Sequence, residues 1–221
     1  KPLAFENNEK LSQIHIPKRL KQFDSNVFKG CSNIKEISVA KDHEKYQVKE
    51  NVLFDKEGKK LLFYPPGLQN EYYSIPSTVK EIEQKSFIMN DIPSLYFSNQ
   101  VNTISESLNY GNKYLTTLYI PETMNYIDSY SFSFSESLET VIIASNSIII
   151  DSYAFYGCEK LKNVIITSQT IEFGENLKDI VVENVNIDIF KFVDDIINKN
   201  KKRSVRSAFC FIFLFCFFNM I

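Results

Sequence analysis

Apolar residues recur along this chain with a fixed long period rather than in one continuous amphipathic pattern. From Phe97 to Ile120 to Ile143 to Ile166 the spacing is 23 each time. Each of these positions closes a short run in which aliphatic residues sit three and two positions apart: Ile34, Ile37, Val39; Ile92, Leu95, Phe97; Leu138, Val141, Ile143; Leu161, Val164, Ile166. Leu115, Leu118 and Ile120 fit after a slip of one residue. The last part of the run alternates, which predicts a strand with one face buried and one face turned to water. Ile-Pro at 16, 75 and 120 is followed twelve residues later by Phe28, Phe87 and Phe132, and Ile143 by Phe155.

A unit of this size cannot bury both its strand and its phenylalanine alone, so stacked neighbours must bury them together. The expected fold is a β-rich solenoid of repeats of about 23 residues, with one parallel sheet and a ladder of Phe28, Phe87, Phe132 and Phe155 in the return layer. Half-units extend it at both ends, with Ala4, Phe5, Leu11, Ile14 and Ile16 first and Leu177, Ile180 and Val182 as the last strand. The chain opens in mid-repeat on Lys1, so further sequence is expected before it. In the shortened unit at 101–115, Leu108 stands where the phenylalanine is expected.

The residues at Ile16–Val39, Ile-Pro-x-x-Leu-x-x-Phe-x-x-x-x-Phe-x-Gly-Cys-x-x-Ile-x-x-Ile-x-Val, are echoed by Ser152-Tyr-Ala-Phe-Tyr-Gly-Cys-Glu-Lys-Leu161. This pattern resembles the BspA-like family of leucine-rich repeats, the treponemal type, from about Leu3 to Val182. Between Val39 and Ile75 the stretch Asn51–Pro66 reads as two apolar runs around a Gly-containing turn, a β-hairpin; similar inserts are familiar in that family. The resemblance implies a surface-displayed antigen or adhesin that binds host or matrix proteins, and it implies no catalytic site.

The chain divides accordingly: a solenoid over 1–183 with the hairpin insertion at about 46–74, a capping helix and basic flank over 184–206, and a hydrophobic tail over 207–221. Ile189, Val193, Ile196 and Ile197 recur at helical spacing and suit a cap. The tail holds Ala208 to Phe218 behind Lys201, Lys202, Arg203 and Arg206. As a helix its fourteen residues reach about 21 Å, short of the roughly 30 Å of a bilayer core. Membrane association through this tail is expected. A basic flank on its N-terminal side favours a cytoplasmic flank, which suits a second reading, an intracellular repeat scaffold held at a membrane.

On the sheet, outward positions form two columns. The first runs Gln13, Glu36, Ser94, Thr117, Thr140, Asn163, Asp179, and the second His15, Ser38, Tyr96, Tyr119, Ile142, Ile165, Val181. An apolar stripe on a face that should meet water reads as a partner surface. The candidate binding residues are Tyr96, Tyr119, Ile142 and Ile165, with Thr117 and Thr140 beside them, and the hairpin is a further contact surface. Stacking of β-branched and aromatic residues along the strands is the competing explanation.

Composition narrows the function further. Of 221 residues 44% are hydrophobic and 24% charged, and 25 basic against 27 acidic residues leave a net charge of −2. That gives no field for nucleic acid. Only His15 and His43 could serve as imidazoles, and neither is assigned a role. No nucleophile elbow, phosphate-binding loop, paired-Cys or His-Glu-x-x-His motif occurs, so neither a catalytic site, a metal nor a cofactor is expected. Cys31 and Cys158 share a phase about four rungs, roughly 20 Å, apart, too far for a disulfide; they are expected as buried free thiols. Cys210 and Cys216 lie in the tail as apolar filler.

Overall fold

In a computed structural model, residues 4–145 and 147–165 are described, together with the backbone of Ile166 and of the strands at 170–173 and 186–188. In chain order the strands are β1 (Gln13–Ile16), β2 (Glu36–Val39), β3 (Tyr46–Lys49), β4 (Val52–Asp55), β5 (Lys60–Phe63), β6 (Tyr73–Ser74), β7 (Glu81–Ile82) and β8 (Ser94–Tyr96). They continue as β9 (Thr103–Ile104), β10 (Thr117–Ile120), β11 (Tyr126–Ile127), β12 (Thr140–Ile143), β13 (Ser147–Ile150), β14 (Asn163–Ile166), β15 (Thr170–Phe173) and β16 (Asn186–Asp188). A 3-10 turn at Ser25–Phe28 is capped by the Asp24 carboxylate, which accepts from the Asn26 N–H.

The solenoid has three parallel sheets, where the sequence reading expected one, and β1 and β2 form a two-stranded sheet of their own. Six strands run in the order β16-β14-β12-β10-β8-β6, and four more in the order β15-β13-β11-β9 form a second face. The second sheet was hidden because β9 and β11 are only two residues long, too short to display a period-2 pattern. The inward residues of this sheet, Ile104, Ile127, Ile148 and Ile150, are nonetheless buried. In the main sheet Leu118 and Ile120 point into the core while Thr117 and Tyr119 point out.

The return layer holds the aromatic ladder, and its hydrogen bonds fix the frame. The N–H of a ladder residue donates to the carbonyl just before the next member, Phe5 to Val27, Tyr64 to Ser86, Phe87 to Leu108, Asn109 to Ser131 and Phe132 to Ala154, whereas Phe28 packs on Phe63 and the run to Phe87 restarts at Tyr64. Asn109, not Leu108, therefore occupies the phenylalanine position of the shortened unit. Leu108 stands one place earlier, level with Ser86, Ser131 and Ala154, and its fully buried side chain supplies the apolar volume. Apolarity alone pointed to the wrong residue there.

Behind the ladder runs a second column, Cys31, Asn90, Asn112, Ser135 and Cys158. The Cys31 and Cys158 thiols donate to Phe5 O (2.9 Å) and Phe132 O (3.3 Å), one rung away. Burial pushes the Cys158 thiol up to about 12. Asn112 does more: its Nδ2 donates to Asn90 Oδ1 and Ile92 O, and its Oδ1 accepts from the N–H groups of Tyr114 and Leu115. Both cysteines thus serve as small buried donors in a stack where asparagine serves as well.

Glycine between ladder and column has a steric reason. Gly157 has φ +71° and a Cβ there would lie 2.7 Å from the Phe134 ring of the preceding rung. Phe134 itself holds φ +57° at the equivalent position. A bulky residue in one rung thus fills the space over the glycine of the next.

The hairpin is present and is more than an insert. β3, β4 and β5 pair antiparallel, and β5 then pairs parallel with β7. Its return arm therefore takes the second-face place of a rung, Tyr64 stacks on Phe87 at 5.2 Å, and β6 joins the main sheet beside β8. Two hydrophobic cores meet here. Leu53, Leu62 and Phe63 pack into the N-terminal core with Ile14, Ile34 and Ile37, while Val52, Phe54, Leu61 and Tyr64 pack into the large one. β4 and β5 are thus buried on both sides, while Lys49, Glu50, Asn51, Lys56, Glu57 and Lys59 at the two turns stay exposed.

The strand expected at Leu177–Val182 lies outside the described residues. β14 pairs instead with β16, Asn163 with Asn186 and Ile165 with Asp188, so the period of 23 continues. The segment read as a cap from 184 thus begins with a strand. The remainder of that segment, with Ile189, Val193, Ile196 and Ile197, and the tail with Ala208 to Phe218, Cys210 and Cys216, fall outside the described residues. Among the described residues no helix is long and apolar enough to cross a membrane.

Candidate binding face

The main sheet brings the sequence-predicted residues together on one face. Thr117 stands beside Thr140 and Tyr119 beside Ile142, then Thr140 beside Asn163 and Ile142 beside Ile165. Thr117 pairs with Ser94 on the other side, which sets Tyr96 next to Tyr119. Because neighbouring strands stand about 4.8 Å apart, the column Tyr96, Tyr119, Ile142, Ile165 is continuous. Tyr96 is 49% and Tyr119 42% exposed, Thr117 is exposed, and Thr140, Ile142 and Ile165 are half-buried. The decline in exposure follows side-chain length: the phenol rings reach past the neighbours that cover an isoleucine.

Two members of this face were missed from the sequence. Ser74 pairs with Tyr96 and extends the column by one rung. Tyr72, 62% exposed, sets its ring edge against Tyr96 at 6.3 Å. Both fall within the stretch assigned to the hairpin. The signal was Tyr73-Ser-Ile-Pro76, which repeats the close of the strand before Pro121. At the far end Asp179 and Val181 lie outside the described residues.

Gln13, His15, Glu36 and Ser38, expected in the same columns, lie on the separate β1-β2 sheet, which differs from the main sheet in polarity. They are joined as Gln13 Nε2 to Glu36 Oε2 at 2.9 Å and His15 Nδ1 with Ser38 Oγ at 2.9 Å. From Ser74 through Ile165 the outward positions carry hydroxyls, phenols, one amide and aliphatics, with no charge. Along this stretch Asn163 Nδ2 donates to Thr140 Oγ1 at 3.4 Å. His43, in contrast, is buried at the turn before β3, where its Nδ1 accepts from the Lys45 N–H and its ring meets Tyr46 at 4.9 Å. Its place is structural.

Titratable groups with a clear environment sit elsewhere. On the second sheet the Tyr126 hydroxyl donates to Asp151 Oδ2 at 2.8 Å, which with partial burial pushes the phenol up to about 12. The Ser152 N–H and the Tyr126 hydroxyl hold the Asp151 carboxyl below its ordinary range. This pair ties two rungs together. Among the described residues no group of three or more His, Cys, Asp and Glu side chains could hold a metal ion.

The family profile of the BspA type leucine rich repeat region matches residues 1–55 and 59–180, in six copies. The second stretch opens where the return arm of the hairpin begins. Three solved structures share the fold. A leucine-rich repeat protein from Eubacterium ventriosum is 21% identical with a TM-score of 0.66, over 73% of this chain and 48% of that one. The pneumococcal vaccine antigen PcpA is 22% identical with a TM-score of 0.60, over 80% and 54%. A leucine rich cell surface protein from Faecalibacterium prausnitzii is 24% identical with a TM-score of 0.55, over 76% and 49%. The matched part spans about half the length of each of these chains. No curated protein matches the sequence.

Proposed function

Because the chain belongs to the BspA type leucine rich repeat family, we propose that it is a non-enzymatic repeat module that binds a protein partner through the face of its main sheet. The observation that carries this reading is the uncharged stripe of exposed Tyr96 and Tyr119 continued by Ile142 and Ile165. Aromatic residues are favoured at the centres of protein interfaces, and charged ones are depleted there. The competing explanation, side-chain stacking along the strands, accounts for isoleucines at half-buried positions. It does not account for phenol rings left nearly half exposed.

The test separates binding from folding. Tyr96→Ala together with Tyr119→Ala is expected to weaken partner binding by at least about tenfold, as loss of interface tyrosines does. Thermal unfolding should move little, because exposed side chains contribute little to the core. Equal loss of binding and stability sinks the reading.

Display at the cell surface, as an antigen or adhesin for host or matrix proteins, is part of this proposal. It is supported by two similar structures, one named as a vaccine antigen and one as a cell surface protein. A second reading, an intracellular scaffold held at a membrane by 207–221, draws on Lys201, Lys202 and Arg203 ahead of the apolar run. Protease added to intact cells decides between them. Removal of the repeats from outside is expected, and protection until lysis would favour the scaffold.

A further inference from the structure

We propose that an exposed aromatic surface on the return layer is the docking site of the chain's own C-terminal segment, the basic run Lys199–Arg206 followed by the phenylalanine-rich run Ala208–Phe218, both outside the described residues. The return layer is a different side of the solenoid from the main-sheet face. The inference therefore goes beyond the proposed function and does not depend on it.

The surface centres on Phe134. Two residues after a ladder member the backbone takes a left-handed φ, and Gly30, Gly111 and Gly157 stand at that place in three rungs. Phe134 holds it at φ +57°, where a bulky side chain is rare. Its ring is 37% exposed, and Tyr110 and Tyr156 from the rungs on either side set their ring edges against it, each at 5.3 Å. Tyr156 and Tyr130 are exposed as well. Covering the glycine of the next rung does not require such a ring. Asn7 covers Gly30 with a short polar side chain, in a conformation that asparagine tolerates. A cluster of exposed rings on a water-facing layer marks a contact surface.

Charge indicates the occupant. Asp128 and Asp151 stand four residues before Phe132 and Phe155, and Glu136 and Glu159 four residues after them. Among the described residues only Glu136 of these four has an ion-pair partner, Lys113 at 4.0 Å. Over residues 99–165 seven acidic residues stand against three basic ones, whereas residues 199–206 carry five basic residues and no acidic one. Phenylalanine then recurs at every second position from Phe209 to Phe217, which supplies rings for an aromatic surface to pack against. Both halves of the segment thus match the site, basic residues to its carboxylate frame and phenylalanines to its rings. The tether also reaches. β16 ends at Asp188, one rung beyond β14, and the eleven residues on to Lys199 can extend about 36 Å. The rungs of Phe155 and Phe132 lie only about 5 and 10 Å back along the stack, so the covalent link holds the segment at high effective concentration.

The experiment places a photo-cross-linking phenylalanine analogue at position 134 of the full chain in intact cells, and in a separate protein at Tyr119. Digestion and mass spectrometry locate each adduct, and gel mobility separates adducts within one chain from those between chains. The expected result is a within-chain adduct from position 134 to residues 199–218. Its yield should fall at least about fivefold in Lys201→Glu, Lys202→Glu, Arg203→Glu, and recover when Glu136→Lys and Glu159→Lys are added. Four results would overturn the inference: no adduct to 199–218, an adduct only between chains, which gives the site to a second copy, an adduct to lipid instead, or equal yield from position 119, which marks unspecific contact. None of them bears on whether a partner meets Tyr96 and Tyr119.

Discussion

Phe132→Ala is expected to cost about 4 kcal/mol of unfolding free energy, in the range for a phenylalanine removed from a packed core. Phe132 is wholly buried and stacks on Phe155 at 5.6 Å with the rings 8° from parallel. Its two neighbours in the layer are held in place, Asn109 by the hydrogen bond from Asn90 and Phe155 by the hydrogen bonds of its own rung. Rungs touch only their neighbours, so the damage should be local first. Denaturant titration gives the total, and amide exchange should show protection falling around 109 and 155 before it falls around Ile34 in the N-terminal core. Phe28 is the equivalent residue of the N-terminal core, where it stacks on Phe5 and is half-buried, so Phe28→Ala should cost distinctly less. Equal costs for the two would contradict the assignment of two cores of unequal burial.

Asn112→Ala is expected to cost about 3 kcal/mol, because it strips partners from buried groups without removing those groups. The N–H groups of Tyr114 and Leu115 lose their acceptor at 2.7 and 2.8 Å, and Ile92 O loses its donor at 3.0 Å. Cys158, in the same column, makes one thiol hydrogen bond to Phe132 O. Cys158→Ala should therefore be mild by comparison, on the order of 1 kcal/mol. Chemical denaturation of the two variants side by side is the check. A Cys158→Ala loss as large as that of Asn112→Ala would show that packing, not hydrogen bonding, holds this column.

What the sequence made legible followed from the strength of each signal. The strand face was readable because inward Leu118 and Ile120 alternate with outward Thr117 and Tyr119, and because 23 recurs without error from Phe97 to Ile166. The same regularity sets Tyr96, Tyr119, Ile142 and Ile165 in one column. The second sheet was not readable, since a strand as short as Tyr126–Ile127 has no period to detect. Asn109 in a phenylalanine position was hidden by Leu108 beside it, an exchange in which Leu108 keeps the apolar volume and the Asn109 Oδ1 accepts from Asn90 while its buried Nδ2 has no partner. The hairpin was recognised, but its role as a bridge between two cores depends on which side of β4 and β5 meets which core. Both sides are apolar there, so the alternation that marks a half-buried strand is missing. The continuation at β16 was overlooked because Asn186-Ile-Asp188 carries a single apolar residue.

The central claim, that partners meet the main-sheet face, is tested most directly by placing a photo-cross-linking residue at Tyr119 and, in a separate protein, at Ile149 on the second sheet. Both positions are exposed to a similar degree, 42% and 41%. The account predicts a covalent partner adduct from position 119 and none from position 149. Adducts from 149 alone, or equally from both, would contradict it.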